Sequence, residues 1–426
     1  MTADVELAEQ SSAGPKSLWR HRDFLLLWSG QTVSETGSSV SQLALPLLAV
    51  TVIKATTFEV SVLTFLSSLA FLLIALPAGV VVDRVRKRRL MLGCDFARML
   101  LLGSIPLAAV FWHVTLWQLY VVAGAVGVLT VFFDVAYQSY LPVLIDKDQL
   151  VDGNGKLGTT QSVAQFVGPS LAGALVGFVG AAKTVAADAI SYAVSTVSLV
   201  LIRKPEPRAE DEPHADRVTF RAAMAEGLHF VVKHPILRKI VACTGSSNFF
   251  SSATGAVEIV FLVRTLHATP TEVGLVFTLG SVGGLLGGVL AGRLATWVGS
   301  ARIIWLSQML AGPFGLMIAG AQPRWGLLLF GFGYVAFWMS AVVYNVAQVS
   351  YRQSICPPEL LGRMNASVRW IVWGTLPIGA LFGGLLGTAI GLRPTLFVAA
   401  IGGWAAALFV FFSPLRRMRD VPTAAA

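Results

Sequence analysis

The chain has 426 residues, 55% of them hydrophobic and only 13% charged. Soluble domains carry about 25% charged residues; with a mean hydropathy of +0.70, a soluble globular protein is excluded. The net charge of +9 does not point to nucleic acid, because the cations sit between apolar runs, where membrane topology places them.

The first residues are polar and charged, so no cleavable signal peptide is expected and the first span serves as its own insertion signal. A tail over residues 1–22 precedes twelve apolar segments of membrane-crossing length. The first six are 24–52, 57–82, 90–111, 115–141, 160–181 and 183–202, forming an N-terminal bundle over 23–202. A polar stretch over 203–238 follows. Its first half is rich in Pro and acid. Its second half, "TFRAAMAEGLHFVVKH", has apolar residues at helical spacing and predicts an amphipathic helix along the membrane surface. The last six segments are 239–264, 272–296, 301–320, 324–353, 366–390 and 393–413, a C-terminal bundle over 239–413 with a tail over 414–426. The expected fold is an all-α membrane protein of 12 transmembrane helices in two pseudo-symmetric six-helix bundles.

Of the 32 Lys and Arg, 25 fall in the tails, the linker and the turns on one side. Only Lys54, Lys183, Arg264, Arg324 and Arg393 fall on the other. The positive-inside rule then expects both termini in the cytoplasm, in a bacterial inner membrane. The run Arg84–Arg89 between spans two and three belongs to that inner side.

The chain repeats itself. "SYLPVLIDKDQLVDGNGKL" from Ser139 matches "SYRQSICPPELLGRMNASV" from Ser350, pairing Asp148 with Glu359 and Asn154 with Asn365. The same register pairs Gly168 with Gly379 and Gly173 with Gly384. "TTFEVSVLTF" at Thr56 echoes "TPTEVGLVFT" at Thr269. Parallel repeats of this kind are a transporter architecture, with the substrate site between the halves.

Polar periodicity marks the wet faces. Span one carries Gln31, Glu35, Ser38 and Gln42; span four carries Thr130, Asp134, Tyr137 and Gln138. Span seven carries Asn248, Ser251, Ser252, Gly255 and Glu258; span ten carries Tyr344, Asn345, Gln348 and Arg352. Interhelical hydrogen bonding accounts equally for any single stripe. Four stripes at equivalent positions indicate a shared aqueous cavity. Six His and three Cys (Cys94, Cys243, Cys356) form no metal or disulfide pattern. No nucleophile–base constellation or P-loop appears, so neither an enzyme nor ATP drive is indicated.

"AGVVVDRVRKRRL", with Gly79, Asp83, Arg84 and Arg88, resembles the signature between spans two and three of the major facilitator superfamily. "GPSLAGAL", with Gly168, Pro169 and Gly173, resembles the antiporter motif of drug exporters, with Ala172 replacing one glycine. "FLLLWSGQTVSETGSSV", "CDFAR", "ADAISYAVS" and "LLGRMNASVRWIVWGTLPIGALFGG" are similar to the drug:proton antiporter branch that includes macrolide and enterobactin exporters. The resemblance implies alternating access by rocking of two halves, with proton entry driving export and no organic cofactor or metal.

A charge at a helix centre costs about 2.5–3.5 kcal/mol, so each needs a reason. Glu35 is the leading proton-coupling candidate, then Asp134, then Glu258, which ranks lower because, nearer the outer end of its span, an exposed rim charge is its alternative reading. Asp95 and Arg98 share a helical face and can pair; with Asp83 and Arg84 they are expected to form an inner-gate network, Asp83 latching against the start of span eleven. Substrate-cavity candidates are Gln31, Gln42, Gln138, Asn248, Trp338, Tyr344, Asn345 and Gln348. The expected activity is proton-coupled efflux of an amphiphilic compound, the partners being small molecule, protons and membrane lipids, by a monomer. A facilitator of a polar metabolite and a non-transporting scaffold are the alternatives; the intramembrane carboxylates disfavour the first and the short cytoplasmic loop the second.

Overall fold

The structure, a computed structural model, describes residues 18–82, 84–206 and 220–420. These residues contain thirteen α-helices. The first six are α1 (Arg22–Thr51), α2 (Thr57–Val82), α3 (Lys87–Phe111), α4 (Leu116–Leu144), α5 (Leu150–Val179) and α6 (Ala181–Leu201). Then come the short α7 (Phe220–Lys233) and the six helices α8 (Leu237–Arg264), α9 (Pro270–Val298), α10 (Arg302–Gly320), α11 (Gly326–Ile355), α12 (Pro358–Ala389) and α13 (Leu392–Phe411). Eleven of these helices are long and apolar enough to cross a membrane on composition. Helix α1 is not one of the eleven, because its polar stripe dilutes it, yet it packs between α5 and α6 as a full member of the bundle.

Local chemistry sets the ends. Thr56 and Glu59 bond reciprocally at the start of α2, and Thr269 and Glu272 form the same capping box on α9. Gly180 and Gly391 turn the chain into α6 and α13 at φ of 85° and 92°, a region that glycine enters without steric cost. Lys54 and His267, one at each matching turn, both have φ of 57°. The twofold repeat in sequence is thus a twofold repeat in backbone. Helices α5 and α12 begin at Leu150 and Pro358, well before the expected 160 and 366. The polar extension of α5 is helical because Lys156 pairs with Asp152 one turn away and Asn154 bonds back to the Leu150 carbonyl.

The two halves are joined along α2 with α12 and α5 with α9. Ser170 and Thr278 hydroxyls meet at 2.5 Å, and Ser281 donates to the Gln165 carbonyl at 2.8 Å. Phe71 packs against Trp373 with tilted rings, centroids 4.6 Å apart, and Arg264 donates to the Ala55 carbonyl. All of these lie from mid-bundle to the face opposite the termini. One apolar cluster runs through both halves at that face, with Leu47, Leu63 and Val176 beside Val260, Val273 and Phe330. At the face carrying the termini the core divides. Phe24, Leu27, Met91 and Tyr140 belong to one cluster; Leu237, Ile240, Tyr351 and Met364 belong to another. The bundle is closed at one end and parted at the other.

Helix α7 docks on α12 rather than floating free. A side chain at Gly227 would collide with the Arg363 carbonyl, and Glu226 pairs with Arg363. Leu228 and Val232 stay exposed on its outer face.

Candidate functional site

The charged residues of the N-terminal half converge between α1, α3, α4 and α6. On α1, the Gln31 side-chain amide donates to Glu35 at 2.9 Å, and its Oε1 is buried without a partner among the described residues. Glu35 and Asp134 are each half-buried and lie within electrostatic reach of one another, with Tyr137 beside both. Gln42 and Gln138 are exposed on the same two helices. Behind this pair, Arg98 and Asp95 form a buried ion pair. Asp95 also accepts from Ser195 at 2.6 Å, and the Tyr192 hydroxyl bonds Ser38 at 2.8 Å. The arrangement runs unbroken from α6 to the α1 stripe.

Sequence reasoning missed the α6 side of this cluster. Asp188, Ser191, Tyr192 and Ser195 recur on one helical face, and all four are buried. That periodicity was there to be read, but a carboxylate in the first turns of a helix already has a reason, the favourable N-terminus, and Asp188 reads that way alone. The pairing of Asp95 with Arg98 was legible; its place deep in the bundle, apart from the basic turn, was not. Asp83 lies outside the described residues. Arg84 is exposed, and a side chain at Gly79 would meet open space. Arg88 instead donates to the Leu199 and Val200 carbonyls at 2.9 and 2.8 Å, capping α6. The first amides of α3 are met by Glu206, at 2.6 Å from Lys87 N.

In the C-terminal half the polar stripes are largely consumed by helix packing. Asn248 donates to the Val372 carbonyl at 3.2 Å and Ser252 to the Leu376 carbonyl at 2.7 Å. Tyr344 is buried, its hydroxyl 2.7 Å from Thr244. Gln348 donates to the exposed Asn345 at 2.9 Å. Glu258 lies near the outer end of α8 as expected, but the alternative of an exposed rim charge does not hold: it is 4% exposed and faces Tyr334, one oxygen without a partner among the described residues. It is buried because α9 and α11 close over this end of α8. Trp338, Trp370 and Trp373 keep substantial exposure.

The antiporter-like motif falls on the seam. A side chain at Gly173 would lie 2.7 Å from the Pro270 carbonyl and 2.8 Å from Gly274, across the boundary between halves. Pro169 sits inside α5, its carbonyl against Gly274. Gly168 faces Ser39 of α1 within its own half.

The model of a family described as transmembrane secretion effectors matches residues 13–425. The chain is 24% identical over 373 residues to macrolide efflux protein A of Streptococcus pyogenes, covering 87% of this chain and 90% of that protein. It is 24% identical over 407 residues to the multidrug efflux pump Tap of Mycolicibacterium fortuitum, covering 93% and 97%. In fold it is similar to a bacterial homologue of the iron transporter ferroportin in its inward-facing state, with TM-score 0.72, 17% identity, and coverage of 93% and 99%.

Proposed function

Because this chain belongs to the major facilitator superfamily, in its family of transmembrane secretion effectors, we propose that it exports an amphiphilic organic compound in exchange for protons. That it is an efflux-type transporter follows from the family; the proton and the substrate class are our reading. The face bearing the termini and most of the cations is taken as cytoplasmic by the positive-inside rule, so the parted end of the bundle opens inward. Glu35 lies midway along α1, and Asp134 lies in the half of α4 nearer that side. Each binds a proton when the vestibule faces out and releases it when the vestibule faces in, and the rocking of the halves alternates the two.

The observation that carries this reading is the pairing of two half-buried carboxylates on adjacent helices of a bundle closed at only one end. The named relatives support a macrolide-like or otherwise amphiphilic substrate. Exposed Trp338, Trp370 and Trp373 supply aromatic surface for such a ligand. The test is flux of macrolides, siderophores and cationic dyes in proteoliposomes under an imposed pH gradient. Gradient-driven flux that is lost in Glu35→Gln is expected. Flux indifferent to the gradient in both proteins would reject the reading.

A further inference from the structure

Arg98 is a fixed charge in a place where packing alone does not need one. It lies on α3, behind the vestibule wall, and is 3% exposed. Its guanidinium is held between the rings of Phe133 and Tyr192, 4.4 and 4.3 Å from their centroids. One terminal nitrogen pairs with Asp95; the other donates to Thr130 at 3.3 Å and to the Tyr192 hydroxyl at 3.4 Å. Its Nε is buried without a partner among the described residues. Taking such an ion out of water costs several kcal/mol. A guanidinium cannot shed that cost by losing its proton.

Titratable groups lie within its electrostatic reach on α1, α3, α4 and α6 alike. Its own helix contributes Asp95 and Cys94, α4 contributes Asp134, α6 contributes Asp188 and Tyr192, and α1 contributes Glu35. Tyr137 borders the two vestibule carboxylates. One cation therefore stands within reach of several acids, and among the described residues Asp95 alone of these carboxylates pairs with it directly. Of the others, Glu35 and Asp134 are the least buried and the nearest to the vestibule.

We propose that Arg98 is a positioning residue for proton exchange: a permanent buried cation whose field sets where Glu35 and Asp134 let go of their protons, trimmed by its contact with Asp95. This rests on the proton-coupled reading above. The two aromatic rings keep the guanidinium from swinging out to the vestibule, so it acts through space rather than as a substrate contact.

The experiment is an infrared titration of the protonated-carboxyl band in the purified full-length protein, assigned with Glu35→Gln and Asp134→Asn. In Asp95→Asn/Arg98→Gln, which removes both charges together, the assigned band should persist to higher pH. The shift should be about one unit, a tenfold change in proton concentration. In Asp95→Asn alone, the uncompensated cation should move the band to lower pH, and Arg98→Lys should leave it near wild type. A packing defect cannot move the band in opposite directions. An assigned band that stays put in both charge variants overturns the proposal. Flux measurements separate this from the underlying reading: that reading fails if wild-type flux ignores the gradient, whereas the titration decides the role of Arg98 in either case.

Discussion

The two halves share a backbone and differ in charge. Matching Lys54 with His267 aligns α1 with α8 and sets Glu35 opposite Asn248. The Ser139 and Ser350 register sets Asp134 opposite Asn345. In both places the C-terminal half holds an uncharged amide where the N-terminal half holds an acid. Gly180 and Gly391 align α6 with α13, and there Asp188, Ser191, Tyr192 and Ser195 stand opposite Ala399, Gly402, Gly403 and Ala406. Phe250 fills the space at Gly402. The paired carboxylates and the buried ion pair thus belong to the N-terminal half, while its counterpart keeps the shape and holds Glu258 and Arg352 at other positions. This division suits a molecule in which one bundle handles protons and the other offers apolar and amide surface.

The sharpest way to break this contrast is to erase it. Glu35→Gln with Asp134→Asn makes the N-terminal half resemble its partner. Gradient-driven efflux should fall to the level of protein-free vesicles while the protein still folds, since each change keeps the side-chain volume. The converse pair, Asn248→Asp with Asn345→Asp, should not restore drive in the neutralised background, because among the described residues no buried ion pair like that of Asp95 with Arg98 stands in the C-terminal half. Recovery of drive there would show that the halves are interchangeable.

The seams are where the halves agree, and they carry the next largest effect. Gly173 meets Gly274 across the α5–α9 boundary, and its repeat equivalent Gly384 meets Ser61 across α2–α12. Either glycine replaced by leucine adds bulk at the closed end. Overpacking of this kind costs about 1–3 kcal/mol, enough to shift a conformational balance roughly tenfold or more. The bundle should then favour the state parted at that end. Thiol labelling at Gln138→Cys, applied from the face of the termini, should slow in both variants. The native cysteines are all buried, so the probe reads one site. A slowing with Gly173 and none with Gly384 would mean that the seams are not equivalent.

Much of this was legible in the sequence because a membrane leaves the backbone few choices. Long apolar runs must be helices, and their order and repeat set out the two bundles. The stripe in α1 revealed a span whose composition alone conceals it. Other features depend on neighbours that no single segment shows. The rings that sandwich Arg98 come from α4 and α6, so "CDFAR" could announce a pair but not its enclosure. Glu258 reads as a rim charge on its own helix and is buried by two others. The early starts of α5 and α12 were missed because their polar first turns lie beyond the apolar run, where helix is held by local pairs such as Asp152 and Lys156.

The smallest expected effect lies in a likeness that hydropathy does not reveal. His21 Nδ1 accepts the Phe24 amide at 3.1 Å at the start of α1. In the same register His234 Nδ1 accepts the Ile236 and Leu237 amides at 3.3 and 3.2 Å at the start of α8. Only a neutral imidazole can accept there; the protonated ring has no lone pair to offer. Burial holds His234 below the ordinary histidine range. The unfolded chain takes up its proton near pH 6.5, by about which point the native ring still resists. Stability is therefore full above that pH and falls as the pH drops toward the lower native value. Losing the cap costs about 1 kcal/mol. His234→Ala should lower thermal stability by that amount near neutral pH, with a smaller deficit in acid, where wild type loses the same bond. His234→Asn, which keeps an acceptor and does not titrate, should hold stability at both. Thermal unfolding of the purified protein on each side of the histidine range reads the difference. A deficit in His234→Ala that ignores pH would show that the ring is there for packing alone.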